Sequence, residues 1–482
     1  MKITIIGAGP GGYETALAAA AQGIEVTLVS DGPVGGTCLN EGCIPTKSLC
    51  RNAEVLDDLR RAGEFGIGLP EDGLSFDITK AVERKDAVIG QLRSGVEFLL
   101  KNKLIRLVYG RADFKDSCTV TVVPAEGGEA EDIVSDYIII ATGSFSASLP
   151  IPGADLEGVI TSREILSLDK VPEKLCVIGA GVIGLEFASV FKSFGSEVSV
   201  VEFCKDILPR FDTDLAKRLK QALGKRGISI ETSAAVQSIA KADDGRLVVK
   251  YLKKDKEFEV VADKVLMAVG RRPAVGGLNL AAAGVEFTPK GIVTDGNMRT
   301  NVPNIFAIGD IRGGMMLAHV ATFEGRRALN AILADGNCPG SAHVPVNDGI
   351  DLSIVPAAVF TSPEAATVGM TEDDCKNAGI PVRCLKSFFR ANGKALSMGE
   401  PEGFCKLVVA APSGDEAREA AGQSFRPGQI LGCHLFGAHS SDIVQEIAAV
   451  MNGKVTVDEL RNIVHAHPTL TEVLISAASE GR

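Results

Sequence analysis

Two cysteines lie five positions apart in a segment that also carries glycines and a proline. Cys38 and Cys43 belong to the run Gly-Gly-Thr-Cys-Leu-Asn-Glu-Gly-Cys-Ile-Pro-Thr-Lys, which ends at Lys47. The Cys-x4-Cys spacing differs from the Cys-x2-Cys of common zinc sites, and no second pair at matching spacing follows, so we predict no metal here. The pair is suited to a dithiol that cycles with a disulfide, and two inert buried cysteines are the alternative.

A bond between these two sulfurs requires an irregular backbone. Residues five apart in a regular helix are separated by at least about 7.5 Å along its axis, whereas a disulfide needs Cα atoms about 4.4–6.8 Å apart. Gly42 and Pro45 permit such an irregularity, and we expect the helix to settle only after Pro45. Both thiols would then lie near a helix N-terminus, where the thiolate is favoured.

A second chemical pair lies near the C-terminus, in the run His-Ala-His-Pro-Thr-Leu-Thr-Glu at residues 465–472. A histidine can take a proton from a dithiol near neutral pH, and a carboxylate on its other ring nitrogen fixes the tautomer. We predict that His467 and Glu472 form this pair, with Pro468 opening the helix that carries Glu472. Two alternatives stay open: a capping box from Thr469 to Glu472, and a chelating fragment made by the two histidines.

One glycine motif, Gly-x-Gly-x-x-Gly, occurs twice, each time after an apolar strand and before a helix. The first glycine makes a tight turn, the second lets a pyrophosphate approach the backbone, and the third lets the helix pack on the strand. A repeat of the whole unit implies two nucleotide sites in one chain. The glycines are Gly7, Gly9 and Gly12 in the first copy and Gly179, Gly181 and Gly184 in the second.

The residue expected at the ribose differs between the two copies. Glu202 ends the second strand of the second unit, where a carboxylate binds ribose hydroxyls and repels a 2′-phosphate. We therefore expect the second site to prefer NAD over NADP, with a solvated glutamate at a strand end as the alternative. The corresponding residue of the first unit is Ser30, which can hydrogen-bond a ribose more weakly than a carboxylate.

The pattern of strands and helices places these motifs in an α/β protein. Apolar strands at 2–6 and 24–29 flank an Ala-rich helix, and the same arrangement returns at 175–201. Loop signals mark boundaries near residues 150 and 273, and the character changes again from about residue 346. We predict two Rossmann-like dinucleotide-binding domains followed by a separate C-terminal α+β domain.

Composition narrows the possible partners and the location. The 482 residues include 61 acidic and 50 basic side chains, a formal net charge of −11, so we predict no nucleic-acid partner. The sequence contains no run of about 18 or more apolar residues, so we predict no membrane span. The first residues lack the apolar region of a signal peptide, and 11 cysteines scattered along so long a chain do not fit a secreted disulfide framework. We expect a soluble protein of the cytoplasm.

The cysteine run resembles the signature of the class I pyridine nucleotide-disulfide oxidoreductases, and in particular of the branch that acts on dihydrolipoamide. The resemblance extends over essentially the whole chain. The other runs that carry it are Ala141-Thr142-Gly143, Gly309-Asp310, Leu317-Ala318-His319, Thr361-Ser362-Pro363-Glu364 and residues 465–472.

This resemblance implies roles for individual residues. Cys43 would be the thiol next to FAD, and Cys38 the interchange thiol that meets the substrate. Lys47, paired with Glu186, would lie near the reactive edge of the flavin, and Gly270 near NAD. In addition to Lys47, Ser30 and the first glycine motif, the residues expected at FAD are Thr37, Ala112, Thr142, Gly143, Asp310 and Ala318.

The resemblance also implies an activity: FAD-dependent oxidation of protein-bound dihydrolipoamide with reduction of NAD⁺ to NADH. The partner would be a lipoyl-bearing protein of a 2-oxo acid dehydrogenase or glycine cleavage complex, and the enzyme a homodimer in which His467 acts across the interface. Two alternatives stay open: a related NAD(P)H-dependent reductase of another disulfide, and a catalytically idle subunit of a complex. The implied domains are 1–150 for FAD, 151–273 for NAD, 274–345 completing the FAD site and 346–482 for dimerisation.

Some positions depart from the family pattern. Ser30 replaces the usual ribose acid, Val320 stands where a lysine is common, and Phe360 stands where a tyrosine is frequent. The polar stretch 413–429 has the character of an insertion, and we predict a solvated loop or hairpin there. None of these departures touches the residues expected to carry redox chemistry.

Overall fold

A computed structural model describes residues 1–70, 73–336, 346–411 and 425–480 of the chain. It confirms the predicted α/β class, with two sheets built on parallel strands and a third, antiparallel sheet near the C-terminus. The helices of the first 336 residues are α1 (Pro10–Ala21), α2 (Gly36–Glu41), α3 (Cys43–Arg60), α4 (Ile78–Leu100), α5 (Val182–Phe194), α6 (Thr213–Lys225) and α7 (Ala318–Asp335).

The first sheet carries the first glycine motif at the end of its central strand. Its central strands are parallel and largely apolar, because helices α1, α4 and α7 cover one face and apolar residues of Thr119–Pro124, Glu131–Val134 and the segment 278–292 cover the other. Ile138, Ile139 and Ile140, for example, are fully buried. Across the sheet the strands are Ile305–Ala307, Tyr137–Ile140, Lys2–Ile6, Glu25–Ser30, Ile105–Phe114, Thr119–Pro124 and Glu131–Val134, and the last two pair antiparallel.

The second sheet repeats this design around the second glycine motif. It is parallel throughout, and a three-stranded antiparallel sheet is inserted in the chain before its strand Lys264–Met267. The parallel strands, in order, are Ile228–Glu231, Glu197–Val201, Lys174–Ile178, Lys264–Met267 and Val159–Ile160. The antiparallel strands are Ala235–Lys241, Leu247–Lys253 and Lys256–Ala262, and the short pairs elsewhere are Ser144–Ser146 with Arg271–Pro273 and Phe287–Thr288 with Gly291–Ile292.

The C-terminal part has a five-stranded antiparallel sheet with helices packed against it, as the α+β prediction requires. Its strands, in order, are Ala357–Val359, Ala365–Gly369, Ile430–Phe436, Phe404–Ala410 and Val382–Phe388. Its helices are Glu372–Asn377, Gly393–Ser397, Ser440–Asn452, Val457–Arg461 and Glu472–Ser479. Most of the predicted insertion at 413–429 lies in residues 412–424, outside the described chain, so its form stays a prediction.

Two predicted helix starts were wrong. Helix α3 begins at Cys43 and not after Pro45, because Gly42 interrupts the helix (φ −143°, ψ −103°) and a proline in a first turn sacrifices no intrahelical hydrogen bond. Pro468 does not open the last helix, which begins at Glu472 itself. Among the described helices, none combines the length and apolar character that crossing a bilayer demands.

Candidate active site

A single large cavity collects most of the residues that the sequence singled out. Its volume is about 2820 Å³, against about 300–1,000 Å³ for ordinary small-molecule pockets, so it has room for more than one ligand. The predicted site residues that line it are Gly7, Gly9, Ser30, Thr37, Cys38, Cys43, Lys47, Ala112, Thr142, Gly143, Gly179, Gly181, Glu186, Glu202, Gly270, Asp310 and Ala318.

The outer glycines of both motifs are required by the fold. Gly7 and Gly179 have positive φ angles of 109° and 105°. A Cβ on Gly12 would lie 1.8 Å from the carbonyl oxygen of Gly7, and one on Gly184 would lie 2.1 Å from that of Gly179. These third glycines lie beneath the cavity, where they let α1 and α5 pack against the preceding strand.

The middle glycines face open space instead. Among the described residues, a Cβ on Gly181 would meet no atom within 4 Å, and one on Gly9 would approach only the Cα of Gly36, at 3.9 Å. Both residues are helix N-caps without a side-chain cap, so the first N–H groups of α1 and α5 are free to bind an anion. Because nothing in the protein requires a glycine at either place, the space suits a pyrophosphate, and both sites fit a dinucleotide.

Replacing Gly181 with Ala tests whether this space belongs to a ligand. Its backbone angles (φ −78°, ψ −175°) suit any residue, so the variant should fold and melt like the wild type. The new methyl group would occupy the pyrophosphate position, and we expect the KM for NADH to rise about tenfold or more. Steady-state kinetics with circular-dichroism melts measure both quantities. An unchanged KM would show that the nucleotide binds elsewhere.

The two ribose positions differ in how their side chains are held. Glu202 is 7% exposed, and its carboxylate accepts hydrogen bonds from the N–H of Ala180 at 2.5 Å and of Cys204 at 2.6 Å. Each oxygen keeps a lone pair for a further donor such as a ribose hydroxyl. Ser30 donates its proton to the carbonyl of Gly32 at 2.7 Å, so toward a ligand it can only accept.

The predicted thiol pair is formed at the junction of two helices. Cys38 lies in α2 and Cys43 is the first residue of α3, with Gly42 between the helices. The structure holds both as thiols, and Cys38 donates a hydrogen bond to Cys43. This bond, with the nearby charge of Lys47, lowers the pKa of Cys43 to about 7 against the opposing effect of burial. The same bond and burial raise the pKa of Cys38, so near neutral pH Cys43 carries the charge.

Lys47 and Glu186 meet beside the thiols. The ammonium of Lys47 lies 2.9 Å and 3.0 Å from the two carboxylate oxygens of Glu186, which is 3% exposed. Burial alone would lower the pKa of Lys47, but the charge and hydrogen bond of Glu186 raise it. The lysine therefore stays a cation next to Cys43, because it lies one turn after Cys43 on the same face of α3.

Asp310 has two neighbours that the sequence analysis missed. The hydroxyl of Ser144 donates to the Asp310 carboxylate at 2.5 Å, and Nε of Arg271 lies 3.9 Å from it. Arg271 also donates to the hydroxyl and the carbonyl of Ser144, each at 2.7 Å. The sequence offered one clue to both residues, since each directly follows a predicted site residue. Ser144 comes after the Ala-Thr-Gly run, and Arg271 comes after Gly270.

His467 and Glu472 form the predicted pair, but away from the thiols of the same chain. Nδ1 of His467 lies 2.7 Å from Glu472, whose other oxygen accepts from the N–H of Thr469 at 2.9 Å. The His467 side chain is 79% exposed, and neither member of the pair lines the cavity. The capping-box alternative is met only in part: Glu472 accepts from the N–H of Thr469, but the hydroxyl of Thr469 donates to the carbonyl of Ala466 and the helix begins at Glu472. His465 uses both ring nitrogens on Ile463 and Glu446, which leaves none for a chelate.

The fold and the cavity define a class of protein: two dinucleotide sites with a reactive thiol pair between them. The family model for pyridine nucleotide-disulphide oxidoreductases matches residues 1–325, and the model for the dimerisation domain of that family matches residues 355–415 and 424–478. The chain belongs to the pyridine nucleotide-disulphide oxidoreductase family. The resemblance seen in the sequence is thereby confirmed, together with the prediction of an enzyme that uses FAD and NAD(H).

Known relatives refine this placement. Dihydrolipoyl dehydrogenase of Bacillus subtilis is 38% identical over 477 residues, covering 99% of this chain and 98% of the relative. Dihydrolipoyl dehydrogenase of Halobacterium salinarum is 36% identical over 480 residues, covering 99% and 95%. Among solved structures, LpdA of Mycobacterium tuberculosis matches with a TM-score of 0.86 at 26% identity and 99% coverage of both chains. The HOCl-induced flavoprotein disulfide reductase RclA of Escherichia coli matches with a TM-score of 0.83 at 27% identity and complete coverage of both chains.

Proposed function

We propose that this enzyme oxidises the dihydrolipoamide of a lipoyl-bearing protein and reduces NAD⁺. The observation that carries the substrate is the 38% identity, over 99% of the chain, to a dihydrolipoyl dehydrogenase. The thiol pair supports it, because a pair of neighbouring thiols is what exchange with a cyclic disulfide requires. FAD, when bound in the first site, supplies a two-electron carrier between the thiol pair and the nicotinamide.

The residues of this chain divide the exchange between them. In the oxidised enzyme, a thiolate of the substrate attacks the sulfur of Cys38, the Cys38–Cys43 bond breaks, and Cys43 leaves as a thiolate. The second substrate thiolate then attacks the sulfur joined to Cys38, closing the lipoamide disulfide and releasing Cys38. The substrate loses two electrons and the protein disulfide gains them. The low pKa of Cys43 makes it the better leaving group, and the positive charge of Lys47 stabilises the thiolate that forms there.

The two protons of the dithiol need a base. We assign this role to His467 of the partner subunit, oriented by Glu472 of the partner subunit. The assignment is supported by the exposure of the pair and by its position outside the cavity of its own chain. The dimerisation domain supports a homodimer in which two such cavities are each completed by the other chain.

The domain division follows the sheets. We assign 1–150 to the first part of the FAD domain and 274–345 to the segment that completes it, because strand Ile305–Ala307 joins the first sheet. We assign 151–273 to the NAD domain and 346–482 to the dimerisation domain. The physiological partner would be a lipoyl protein of a 2-oxo acid dehydrogenase or glycine cleavage complex, in the cytoplasm.

A second function has support of its own. The match to RclA, with a TM-score of 0.83, shows that this architecture also occurs in a protein described as an HOCl-induced flavoprotein disulfide reductase. Steady-state rates of NADH oxidation with lipoamide, glutathione disulfide and small aromatic disulfides separate the two candidates. We expect the highest kcat/KM with lipoamide. A clear preference for another disulfide would favour the second function and reject the first.

Glu202 should decide the choice of nicotinamide nucleotide. Replacing Glu202 with Gln keeps the shape but removes the charge that binds ribose hydroxyls and repels a 2′-phosphate. Because a hydrogen bond to a charged group contributes about 1.5–3 kcal/mol, we expect the KM for NADH to rise about tenfold or more and the preference over NADPH to narrow. The KM for lipoamide serves as the control and should stay unchanged. Equal use of NADH and NADPH by the wild type would refute this assignment.

A further inference from the structure

Phe360 connects the dimerisation domain to the base of the thiol site. It follows strand Ala357–Val359, and its N–H donates to an oxygen of Glu186 at 3.0 Å. Two residues later, the N–H of Ser362 donates to the hydroxyl of Ser189 at 3.1 Å. Both acceptors lie on α5, so this short segment is fixed along one helix of the nucleotide-binding part.

The ring of Phe360 also contacts the cation beside the thiols. The ammonium of Lys47 lies 4.2 Å from the ring centroid, within the range of about 6 Å for a cation–π interaction. The same ammonium is bound by both oxygens of Glu186. Lys47 therefore has two partners, and one residue, Phe360, contacts both members of the ion pair.

A third contact links Phe360 to the helix that carries Cys43. The thiol of Cys50 donates to the carbonyl of Phe360 at 3.5 Å. Cys43, Lys47 and Cys50 are spaced by four and three residues on α3, so they share one face of that helix. Burial raises the pKa of Cys50, which therefore stays a neutral donor. The redox steps do not use this buried thiol, and here it joins Phe360 to α3.

We propose that Phe360 is a positioning residue, which holds the Lys47 ammonium against Glu186 so that a fixed positive charge stands beside Cys43. The inference rests on the proposed function, because it concerns Cys43, the thiol that the proposed function places next to FAD. It extends that function to the dimerisation domain, which contributes a contact to the thiol site within the same chain.

The direction in which the pKa of Cys43 should move follows from the charges around it. The groups that face it are Cys38 on α2, Lys47 on α3, Glu186 on α5 and Arg271 on strand Arg271–Pro273. Lys47 favours the thiolate and Glu186 opposes it. If Lys47 were released toward solvent, the carboxylate would remain, and the pKa of Cys43 would rise.

The test measures the acidity of Cys43 directly in the FAD-loaded dimer. In a Cys38→Ser background, the rate of alkylation by iodoacetamide is followed against pH, with peptide mapping to confirm that Cys43 reacts. Phe360→Leu removes the ring, and we expect the midpoint to move upward by about half a pH unit. Phe360→Tyr keeps the ring and should leave the midpoint unchanged. FAD content and circular dichroism report folding, and Phe360→Met replaces the leucine variant if that variant does not retain FAD.

A second mutation shows whether the effect passes through the lysine. In a Lys47→Gln background, Phe360→Leu should cause no further shift, because the cation it positions is gone. The inference is overturned if Phe360→Leu leaves the midpoint unchanged, or if it shifts the midpoint equally with and without Lys47. These outcomes need no lipoamide, so they are distinct from a failure of the proposed function, in which the wild type would not turn lipoamide over.

Discussion

Replacing either Cys38 or Cys43 with Ser is expected to lower the turnover of dihydrolipoamide by about 10³-fold or more. Thiol–disulfide exchange needs one sulfur to be attacked and a second to leave, and a serine hydroxyl replaces neither function. Cys38 and Cys43 interact directly with each other, so each variant leaves the remaining thiol without its exchange partner. NADH formation with free dihydrolipoamide measures the loss.

The same variants should keep the reaction that does not involve the thiols. NADH oxidation by ferricyanide, an acceptor that needs no disulfide, should persist in both. Cys118→Ser is the matched control, because Cys118 is an exposed thiol outside the cavity, and it should keep both activities. Substantial lipoamide turnover in Cys38→Ser or Cys43→Ser would contradict the assignment of these two residues.

Replacing His467 with Ala is expected to slow dithiol oxidation by about 10²–10⁴-fold, the usual contribution of a general base. The thiols themselves are untouched, so alkylation of Cys43 should keep its pH midpoint. His467 contacts Glu472 at 2.7 Å, and we expect Glu472→Gln to cause a smaller loss of the same kind, because the imidazole remains but loses its orienting charge. Pre-steady-state reduction by dihydrolipoamide measures this step.

Mixed dimers decide which chain supplies the histidine. Cys38→Ser and His467→Ala homodimers are each expected to be inactive, but refolding them together should restore activity. In each mixed dimer, one of the two cavities combines the intact thiols of one chain with His467 of the partner subunit. Differently tagged chains allow the mixed dimer to be purified. A mixed dimer without activity would mean that each chain uses its own His467.

The sequence was most informative where a site is formed by residues close together along the chain. The glycine motifs could be predicted because strand, turn and helix are consecutive, and the structure shows Gly12 packed against Gly7 as the motif requires. The helix starts were predicted less well. Pro45 and Pro468 are compatible with several backbone paths, and the actual starts at Cys43 and Glu472 depend on local geometry that proline alone does not determine.

Contacts between distant segments could not be read from the residue pattern, and the Lys47–Glu186 pair was predicted only because the family resemblance implied it. The Glu186–Phe360 hydrogen bond joins residues 174 positions apart, and no local pattern marks either partner. Arg226 is a similar case: it donates to the hydroxyl of Ser193 and to the carbonyl of Ser362, each at 2.8 Å. The packing of the C-terminal domain against α5 creates the contacts of Phe360 and Ser362, and this packing depends on the complete fold.

The central claim is tested most directly by a single turnover with a protein-bound substrate. The FAD-loaded enzyme is mixed without oxygen with a reduced lipoyl domain and NAD⁺, and NADH is followed by absorbance while the lipoyl thiols are counted by alkylation and mass spectrometry. The account predicts one NADH for each lipoyl dithiol oxidised, and none with the Cys38→Ser variant. An enzyme that forms no NADH from the lipoyl dithiol, yet reduces another disulfide rapidly with NADH, would contradict it.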